Sequence, residues 1–270
     1  MLSFPNAKIN IGLNIVEKRS DGYHNLESLF YPLKLRDILE ITEKVKGFET
    51  TFKNTGIQID APVNKNLCVK AYNLLSEEFD IPPVQIHLHK VIPFGGGLGG
   101  GSADASFTLK SINELFQLNI EEDTLLKFAE QIGSDCPFFI KNTPCYATGK
   151  GEILEETPIN LSGLHLALIN PGFPIGTKDA YAGINPKKSQ QLITEIARLP
   201  VEEWKNYFKN DFEQSAFRLY PEIEKIKEHL YKKGALYASM TGSGSSVFGL
   251  FMTEPNLSEF DKYFVWKEIL

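Results

Sequence analysis

A run of glycines near residue 97 separates two segments of different periodicity. Before it, Val84, Ile86 and Leu88 alternate with polar residues, which is the period-two pattern of a strand, and Pro93 closes that pattern. After it, apolar residues recur at spacings of three and four, the pattern of an amphipathic helix. These residues are Ala105, Leu109, Ile112 and Phe116. The order strand, glycine loop, helix therefore constrains how this part of the chain folds.

The loop itself suits the binding of a polyphosphate. Its sequence, Gly95-Gly-Gly-Leu-Gly-Gly-Gly-Ser-Ala103, consists almost entirely of residues too small to cover their own backbone. Glycine reaches backbone angles that other residues avoid and leaves N–H groups open to a ligand. A helix that begins there adds unpaired N–H groups and the positive end of its dipole, and each anionic contact contributes about 0.3–1 kcal/mol.

Three other interpretations of the loop each lack a feature. A Walker loop needs Gly-Lys-Ser/Thr, whereas Ser102, Ala103 and Asp104 follow the last glycine. A Rossmann fingerprint should follow the first strand and be trailed by an acidic residue about twenty positions on, and Glu121 and Glu122 fall in a loop rather than at a strand end. A flexible linker would be polar and would not lie between two apolar-periodic segments.

Composition narrows the class of protein. The 270 residues suit one large domain or two ordinary ones, and 42% hydrophobic content supports a full core. A net charge of −6 disfavours a coat for nucleic acid, because such binders carry a basic face. The cysteines Cys68, Cys136 and Cys145 form no CxxC pair, so we expect no disulfide framework or thiolate metal site and predict a reducing cytoplasm. No apolar run has the length of a signal peptide or membrane span, so we expect neither export nor a membrane anchor.

Elsewhere the chain predicts a mixture of strands and helices. Strands are expected at 8–16, 27–43 and 164–169, and helices at 67–79, 121–132 and, charged throughout, 187–231. The apolar segment Cys136-Pro-Phe-Phe-Ile140 is expected to be a strand. A second small-residue loop, Thr241-Gly-Ser-Gly244, runs into a further strand. A domain boundary is predicted near Thr157-Pro158, between domains 1–157 and 158–270.

Four segments occur together in this chain: Pro5-Asn-Ala-Lys-Ile-Asn10, Asp21-Gly-Tyr-His24, the glycine loop and Thr241-Gly-Ser-Gly244. Over nearly the whole chain this combination resembles the GHMP superfamily of small-molecule kinases. In the first two segments it is similar to the members that phosphorylate the 2-hydroxyl of a CDP-linked methylerythritol with ATP, in the non-mevalonate route to isoprenoid precursors. The resemblance implies an α+β fold with a ribosomal-protein-like N-terminal domain, a ferredoxin-like C-terminal domain and an active-site cleft between them.

The resemblance implies two catalytic residues. Asp135 matches the family's catalytic aspartate and is expected to accept the proton of the substrate hydroxyl while that oxygen attacks the γ-phosphorus. Lys8 matches the family's cation and is expected to lower the pKa of the aspartate and stabilise charge on the transferring phosphoryl group. Without the resemblance, Asp135 would be interpreted as a turn aspartate at a helix end and Lys8 as a surface lysine that snorkels.

The same resemblance implies how ATP is bound. The family's phosphate loop matches Pro93, Phe94, Gly95, Gly96, Gly97, Leu98, Gly99, Gly100, Gly101, Ser102 and Ala103. Ser102 is expected to cap the following helix and to contact phosphate, and an approach of its hydroxyl to the magnesium ion is the alternative that the sequence leaves open. The family's third motif closes over the phosphates and keeps the glycine loop in shape, and a plain hairpin loop is its alternative. This motif matches Thr241, Gly242, Ser243 and Gly244.

The resemblance also implies a cytosine site. Tyr23 is expected to stack on the base and His24 to hydrogen-bond its edge, while Asn10 reaches the polar part of the substrate. Thr177 and Tyr181 match a segment that supplies a second aromatic face, although Tyr181 also fits a plain core aromatic. Mg²⁺ is implied with ATP because the phosphates need neutralisation, and no site made of protein ligands alone is expected.

Two histidines are interpreted more simply. His87 and His89 share one strand face, as zinc ligands do, but no third ligand is spaced beside them. We predict that they are exposed to solvent.

Three alternative functions remain at this point: a GHMP kinase for mevalonate or homoserine, a decarboxylase of the superfamily, and a catalytically silent ATP-sensing module. The first leaves the segment Asp21-Gly-Tyr-His24 without a purpose, and intact Lys8 and Asp135 argue against the last. We expect a monomer or weak homodimer in a bacterial cytoplasm, binding ATP and the CDP-linked methylerythritol but neither nucleic acid nor membrane.

Overall fold

The computed structural model describes residues 1–44, 49–59, 61–157, 159–188 and 192–270. The chain clusters into two compact units, each assembled from separate stretches. The first unit comprises Met1–Ala7, Lys34–Phe94 and Gly99–Thr143, and the second comprises Lys8–Leu33, Gly95–Leu98 and Pro144–Leu270. The domain boundary near Thr157 stays a prediction, and Pro158 lies outside the described residues.

Strands and helices are numbered here in chain order. The strands are β1 (Leu2–Ser3), β2 (Asn6–Lys18), β3 (His24–Arg36), β4 (Ile38–Glu43), β5 (Thr51–Gly56), β6 (Val84–Lys90), β7 (Cys145–Thr148), β8 (Ile153–Glu156), β9 (His165–Asn170), β10 (Tyr237–Met240), β11 (Val247–Phe251) and β12 (Phe264–Ile269). The α-helices are α1 (Leu67–Glu78), α2 (Gly100–Leu115), α3 (Glu122–Ile132), α4 (Cys136–Lys141), α5 (Thr177–Tyr181), α6 (Ile193–Ile196), α7 (Glu213–Leu219) and α8 (Pro221–Lys232). Short 3₁₀ turns occur at Val63–Lys65, Val201–Asn206 and Ser258–Phe260.

The first unit packs helices against a four-stranded sheet of order β1-β4-β6-β5, in which β5 is parallel to β6 and the other pairs are antiparallel. Along β6, Val84, Ile86 and Leu88 are buried and the residues between them are more exposed, as the alternation predicts. These side chains share one core with apolar residues of α1, α2, α3 and α4, among them Leu75 and Leu109. The predicted order strand, glycine loop, helix is therefore confirmed.

The second unit contains two four-stranded sheets, of order β2-β3-β7-β8 and β10-β11-β9-β12. In the latter all pairs are antiparallel. Its core joins Ile169 and Val247 of the sheet to Ile223, Ile226 and Leu230 of α8. Across the residues that the structure describes, no helix is both long and apolar enough to cross a membrane.

Three predictions of secondary structure were wrong in detail. The strand expected at 27–43 is two strands, β3 and β4, broken at Asp37, whose carboxylate is buried and hydrogen-bonded. The segment Cys136–Lys141 is a helix, because Pro137 is tolerated in a first helical turn and a short apolar run has no period that separates helix from strand. In the described part of 187–231, which leaves out 189–191, the expected helix is replaced by short pieces: a 3₁₀ turn follows Pro200, and α8 begins at Pro221.

Candidate active site

Three successive carbonyl groups anchor the first half of the glycine loop within the second unit. The bonds are Ser246 N–H to Gly96 O at 3.1 Å, Thr241 Oγ1–H to Gly97 O at 3.1 Å and Lys8 N–H to Leu98 O at 2.9 Å. A trans peptide points its N–H opposite to its C=O, so the amides of residues 97 to 99 face away from these anchors. A row of amides held in this way is what a phosphate-binding loop needs.

Three glycines of the loop, Gly95, Gly97 and Gly99, have a positive φ, a conformation that favours glycine. Gly97 has a φ of +76°, and a Cβ built on it would lie 2.0 Å from the carbonyl oxygen of Thr241. Gly99, with a φ of +69°, adopts the left-handed conformation immediately before α2. Any larger residue at position 97 would force the two loops apart.

The predicted capping role of Ser102 was wrong. Helix α2 begins at Gly100, and its N-cap is Gly99, which has no side chain to cap with. Ser102 therefore lies inside the first turn, where its carbonyl oxygen accepts a bond of 2.9 Å from Ser106 Oγ. The first N–H groups of α2 have no capping side chain, and such groups suit an anion or water.

Lys8 is buried in β2, with 2% of its surface exposed, so the alternative of a surface lysine was wrong. Its ammonium donates to Asn10 Oδ1 at 2.5 Å and lies 4.4 Å from the centre of the Phe30 ring. Asn10 in turn donates from Nδ2 to Ser28 Oγ at 3.0 Å, and its backbone N–H donates to Thr241 Oγ1 at 3.0 Å. Lys8, Asn10 and Thr241 thus form one connected set that also holds the glycine loop.

Asp135 lies in the first unit, at the residue that precedes α4, and its carboxylate makes no capping bond to that helix. Helix α4 is tied to α2 because Ser106 Oγ donates to the carbonyl oxygen of Cys136 at 2.7 Å. Burial raises the pKa of the neighbouring Cys136 thiol to about 12, so that thiol is no nucleophile near neutral pH. Asp135 and Lys8 belong to different units, and their partnership stays a prediction.

A buried ion cluster, defined here as Lys90, Asp37 and Asp104, joins the two ends of the glycine loop within the first unit. Lys90 Nζ lies 2.6 Å from Asp37 Oδ2 and 2.6 Å from Asp104 Oδ2. Asp37 Oδ1 also accepts the backbone N–H groups of Val91 and Ile92, at 2.6 and 2.8 Å. Because Asp104 lies in α2, the cluster holds the segment before the loop to the helix after it.

Asp104 is the member of this cluster whose charge is least well compensated. Its Oδ1 is buried without a hydrogen-bond partner among the described residues. Burial, together with the nearby Asp37 carboxylate and against the opposing charge of Lys90, raises the pKa of Asp104 to about 7. No sequence motif predicted this cluster, although one signal was present: Lys90 continues the inward-facing positions of β6, where a charged residue needs a partner.

The residues predicted to bind cytosine are only partly brought together. The His24 ring stacks on Tyr181, with ring centres 4.6 Å apart and planes 23° apart, and Tyr181 meets Phe212 edge-on at 4.9 Å. Tyr23 is 59% exposed, and Lys150 Nζ lies 5.2 Å from its ring centre. Thr177 begins α5, but its side chain lies outside the described residues.

The pKa of His24 is lowered, first by burial and then by the charge of Lys18. A neutral imidazole carries one donor and one acceptor nitrogen. Stacking on Tyr181 uses the ring face, so both nitrogens remain in the plane that an incoming polar edge would share.

The loop 241–244 is folded tightly between β10 and β11. Gly244 N–H donates to Thr241 O at 3.0 Å, and Thr241 N–H donates to Ser246 O at 3.0 Å. Gly242 has a φ of +54°, and a Cβ on it would lie 3.0 Å from Gly97 O. The structure therefore places this loop directly against the glycine loop.

His87 Nε2 and His89 Nδ1 both contact Thr55 Oγ1, at 2.9 and 3.0 Å. His89 is exposed and His87 half-buried. In the described parts of the chain, no group of three His, Cys, Asp or Glu side chains is arranged to hold a metal ion.

Comparison with known proteins identifies the family. The GHMP kinases N terminal domain family matches residues 66–142, and the GHMP kinases C terminal family matches residues 190–261. A 4-diphosphocytidyl-2-C-methyl-D-erythritol kinase from Parabacteroides distasonis is 52% identical over 270 residues, which cover 99% of this chain and 98% of the relative. The chain belongs to the 4-diphosphocytidyl-2-C-methyl-D-erythritol kinase family of GHMP kinases.

This GHMP kinase is similar to further relatives of the same name. One from Cytophaga hutchinsonii is 48% identical and covers 94% of both chains. A crystal structure of a 4-(cytidine 5'-diphospho)-2C-methyl-D-erythritol kinase has a TM-score of 0.77 at 30% identity, covering 93% of this chain and 90% of that one. Mevalonate kinase from Methanococcus jannaschii shares the fold, with a TM-score of 0.67 at 13% identity over 100% of this chain and 98% of that one. The predicted α+β GHMP fold and the predicted class, a small-molecule kinase, are confirmed.

Proposed function

We propose that this kinase transfers the γ-phosphoryl group of ATP to the 2-hydroxyl of 4-diphosphocytidyl-2-C-methyl-D-erythritol, giving the 2-phosphate and ADP in the non-mevalonate route to isoprenoid precursors. The observation that carries the proposal is 52% identity over nearly the full chain to a relative named for this substrate. The geometry of the glycine loop supports the nucleotide part, because its carbonyls are anchored and its amides face away from the anchors.

Mg²⁺ is proposed to arrive with ATP. The glycine loop offers amide donors and no carboxylate, and the described residues contain no cluster of three metal-ligating side chains. Phosphate oxygens are hard donors that Mg²⁺ prefers, so the nucleotide and water supply most of its ligands. When bound, the ion neutralises charge on the β- and γ-phosphates.

The chemistry assigned to the side chains is one proton transfer and one displacement. Asp135 accepts the proton of the substrate hydroxyl while its oxygen forms a bond to the γ-phosphorus, and the bond from that phosphorus to ADP breaks with the electron pair leaving on ADP. Lys8 stabilises negative charge on the transferring group. The hydrogen bond from its ammonium to Asn10 supports this role, because the charge is held in one place before substrate arrives.

Substrate recognition is assigned to the second unit. His24 hydrogen-bonds the edge of the cytosine, Tyr23 and Tyr181 supply aromatic faces, and Asn10 contacts the polar part of the molecule. Thr177 belongs to the segment that carries Tyr181. The lowered pKa of His24 supports its role, because a neutral ring offers both a donor and an acceptor to a base edge that needs both.

The deciding experiment incubates the purified protein with ATP, Mg²⁺ and the CDP-linked methylerythritol and follows the reaction by phosphorus NMR. Mevalonate and homoserine are run in parallel. We expect a new phosphomonoester signal only with the CDP-linked alcohol. A signal with mevalonate or homoserine instead would replace the proposal with that activity. A separate incubation with ATP and a phosphorylated acid tests for the decarboxylase, which would release carbon dioxide.

ATP binding without any product would indicate a silent sensing module.

We also propose a cytoplasmic location, where ATP is available, and a monomer or weak homodimer.

A further inference from the structure

Asn210 is a buried amide, 3% exposed, in the stretch between the 3₁₀ turn Val201–Asn206 and α7. Its Nδ2 donates to the carbonyl oxygens of Met240 and Gly242, both at 2.8 Å. Its Oδ1 accepts the backbone N–H of Phe212 at 3.0 Å. Both donors of the amide and one acceptor position are therefore occupied.

The same stretch is bonded to β2. Leu13 and Asn210 form a parallel bridge, in which Leu13 N–H donates to Lys209 O at 2.7 Å and Asp211 N–H donates to Leu13 O at 2.9 Å. Asp211 Oδ2 also accepts the N–H of Ile15 at 2.7 Å. Asn210 thus projects from a segment that is registered on the strand carrying the proposed catalytic lysine.

The two carbonyls that Asn210 holds lie on either side of Thr241. Fixing both of them fixes the orientation of Thr241, whose hydroxyl donates to Gly97 O at 3.1 Å and accepts the N–H of Asn10 at 3.0 Å. Gly242 also packs against Gly97. One amide side chain therefore controls the contacts of the loop 241–244 with both the glycine loop and the Lys8–Asn10 pair.

We infer that Asn210 is a positioning residue of the kinase, which sets the loop 241–244 and, through Thr241, the phosphate-binding conformation of the glycine loop. The inference rests on the proposed function, because this positioning matters for turnover only if the glycine loop binds ATP. Without the two bonds from Asn210, the buried carbonyl of Gly242 would lose its donor and that of Met240 would keep only the bond of 3.1 Å from Ser239 Oγ, and the loop would shift to satisfy them.

The test uses two matched variants. Asn210→Asp is nearly isosteric and keeps the bond to Phe212, but it turns an oxygen towards two carbonyl oxygens. Asn113→Asp makes the same change in the first unit, where Asn113 Nδ2 donates to Ile120 O at 3.1 Å and its Oδ1 accepts Ile120 N–H at 2.9 Å. Asn210→Asp loses two amide-to-carbonyl bonds and Asn113→Asp loses one, and only the first variant loses contact with the loop 241–244.

The readouts are the dissociation constant of MgATP by calorimetry and kcat and KM for both substrates. For Asn210→Asp we expect a dissociation constant for ATP weakened by about ten-fold or more, the equivalent of one lost hydrogen bond, and a lower kcat. The KM for the CDP-linked alcohol should change less than the dissociation constant of ATP, because the bond to Phe212, which packs against Tyr181, is kept and only the contact of Thr241 with Asn10 is disturbed. Asn113→Asp should leave all of these values within about two-fold of wild type. Equal losses in the two variants, or wild-type ATP binding by Asn210→Asp, would overturn the inference.

A third variant covers the case in which Asn210→Asp does not fold. Asn210→Ser keeps an oxygen that accepts Phe212 N–H and replaces the two amide N–H donors with one hydroxyl, without burying a charge; wild-type ATP affinity in this variant also overturns the inference. The proposed function is tested separately by the wild-type protein. A wild type that binds ATP but phosphorylates no CDP-linked alcohol refutes the substrate assignment and leaves the ATP comparison valid. A wild type that binds no ATP overturns both.

Discussion

The carbonyl oxygen of Thr241 lies 2.0 Å from the place that a Cβ on Gly97 would occupy. The carbonyl oxygen of Gly97 also accepts a hydrogen bond of 3.1 Å from the hydroxyl of Thr241. The two loops, 144 residues apart in the chain, therefore pack backbone to backbone. This contact requires glycine at position 97. The conformation of the glycine loop therefore depends on the position of the loop 241–244.

Replacing Gly97 tests this dependence. Gly97→Ala should lower the free energy of unfolding through both overpacking and a positive φ, and it should weaken MgATP binding. Gly163→Ala is the matched control, because Gly163 has a φ of +86° and no atom within 4 Å of its Cβ position. Both variants lose stability because alanine is strained at a positive φ. Overpacking should lower the free energy of unfolding of Gly97→Ala by about 1–3 kcal/mol more, measured by urea unfolding. Equal losses of stability would show that the close contact is unimportant.

Asp135→Asn should lose turnover and keep nucleotide binding. Positioned base catalysis contributes about 10²–10⁴-fold, so kcat should fall at least about 100-fold while the dissociation constant of MgATP changes little. Asp123→Asn removes the same charge from the exposed first turn of α3 in the same unit and should leave kcat unchanged. A variant at Asp135 that keeps more than about a tenth of wild-type turnover contradicts the role of proton acceptor.

Asp104 predicts a pH dependence of stability. Its folded-state pKa of about 7 lies above that of an unfolded aspartate, so the folded state holds a proton that the unfolded state releases. This stabilisation is complete below about pH 4 and is lost as the pH rises through about 7, with a slope of up to about 1.4 kcal/mol per pH unit.

Asp104→Asn removes this titrating group and keeps the shape of the side chain. The wild-type free energy of unfolding, measured relative to this variant in urea from pH 5 to pH 8, should therefore fall as the pH rises. Lys90, Asp37 and Cys68 also face Asp104 and remain in both proteins. A difference that is flat with pH would show that Asp104 is ionised throughout this range.

His24→Phe separates stacking from hydrogen bonding. Phenylalanine keeps an aromatic face on Tyr181 and loses both ring nitrogens. The KM for the CDP-linked alcohol should rise by about ten-fold or more, because a polar edge of the base loses its partner, whereas the KM for ATP should stay the same. An unchanged KM for the alcohol would assign His24 to the support of Tyr181 alone. Tyr207→Phe is the control: it changes an exposed aromatic residue of the same unit and should leave both KM values unchanged.

Local periodicity carried most of the fold prediction. Alternation gave β6, three- and four-residue spacing gave α1, α2 and α3, and the glycine run between β6 and α2 was recognised from both flanks. Prediction failed where the local signal was ambiguous or misleading. The apolar run of α4 has no period, and the charged stretch 187–231 contains an extended segment at Asn210 that pairs with β2 instead of continuing a helix.

The motifs of the sequence were sufficient to identify the family, the enzyme class and the loop that the proposal assigns to ATP, because each motif consists of contiguous residues. Tertiary structure decided what those residues touch. Lys8 is buried on Asn10, Lys90 is sequestered between two aspartates, and Asn210 reaches Gly242 from 32 positions away. Sequence periodicity reports one face of one element, whereas a buried charge or amide is stabilised only by partners that the folded chain brings to it from elsewhere.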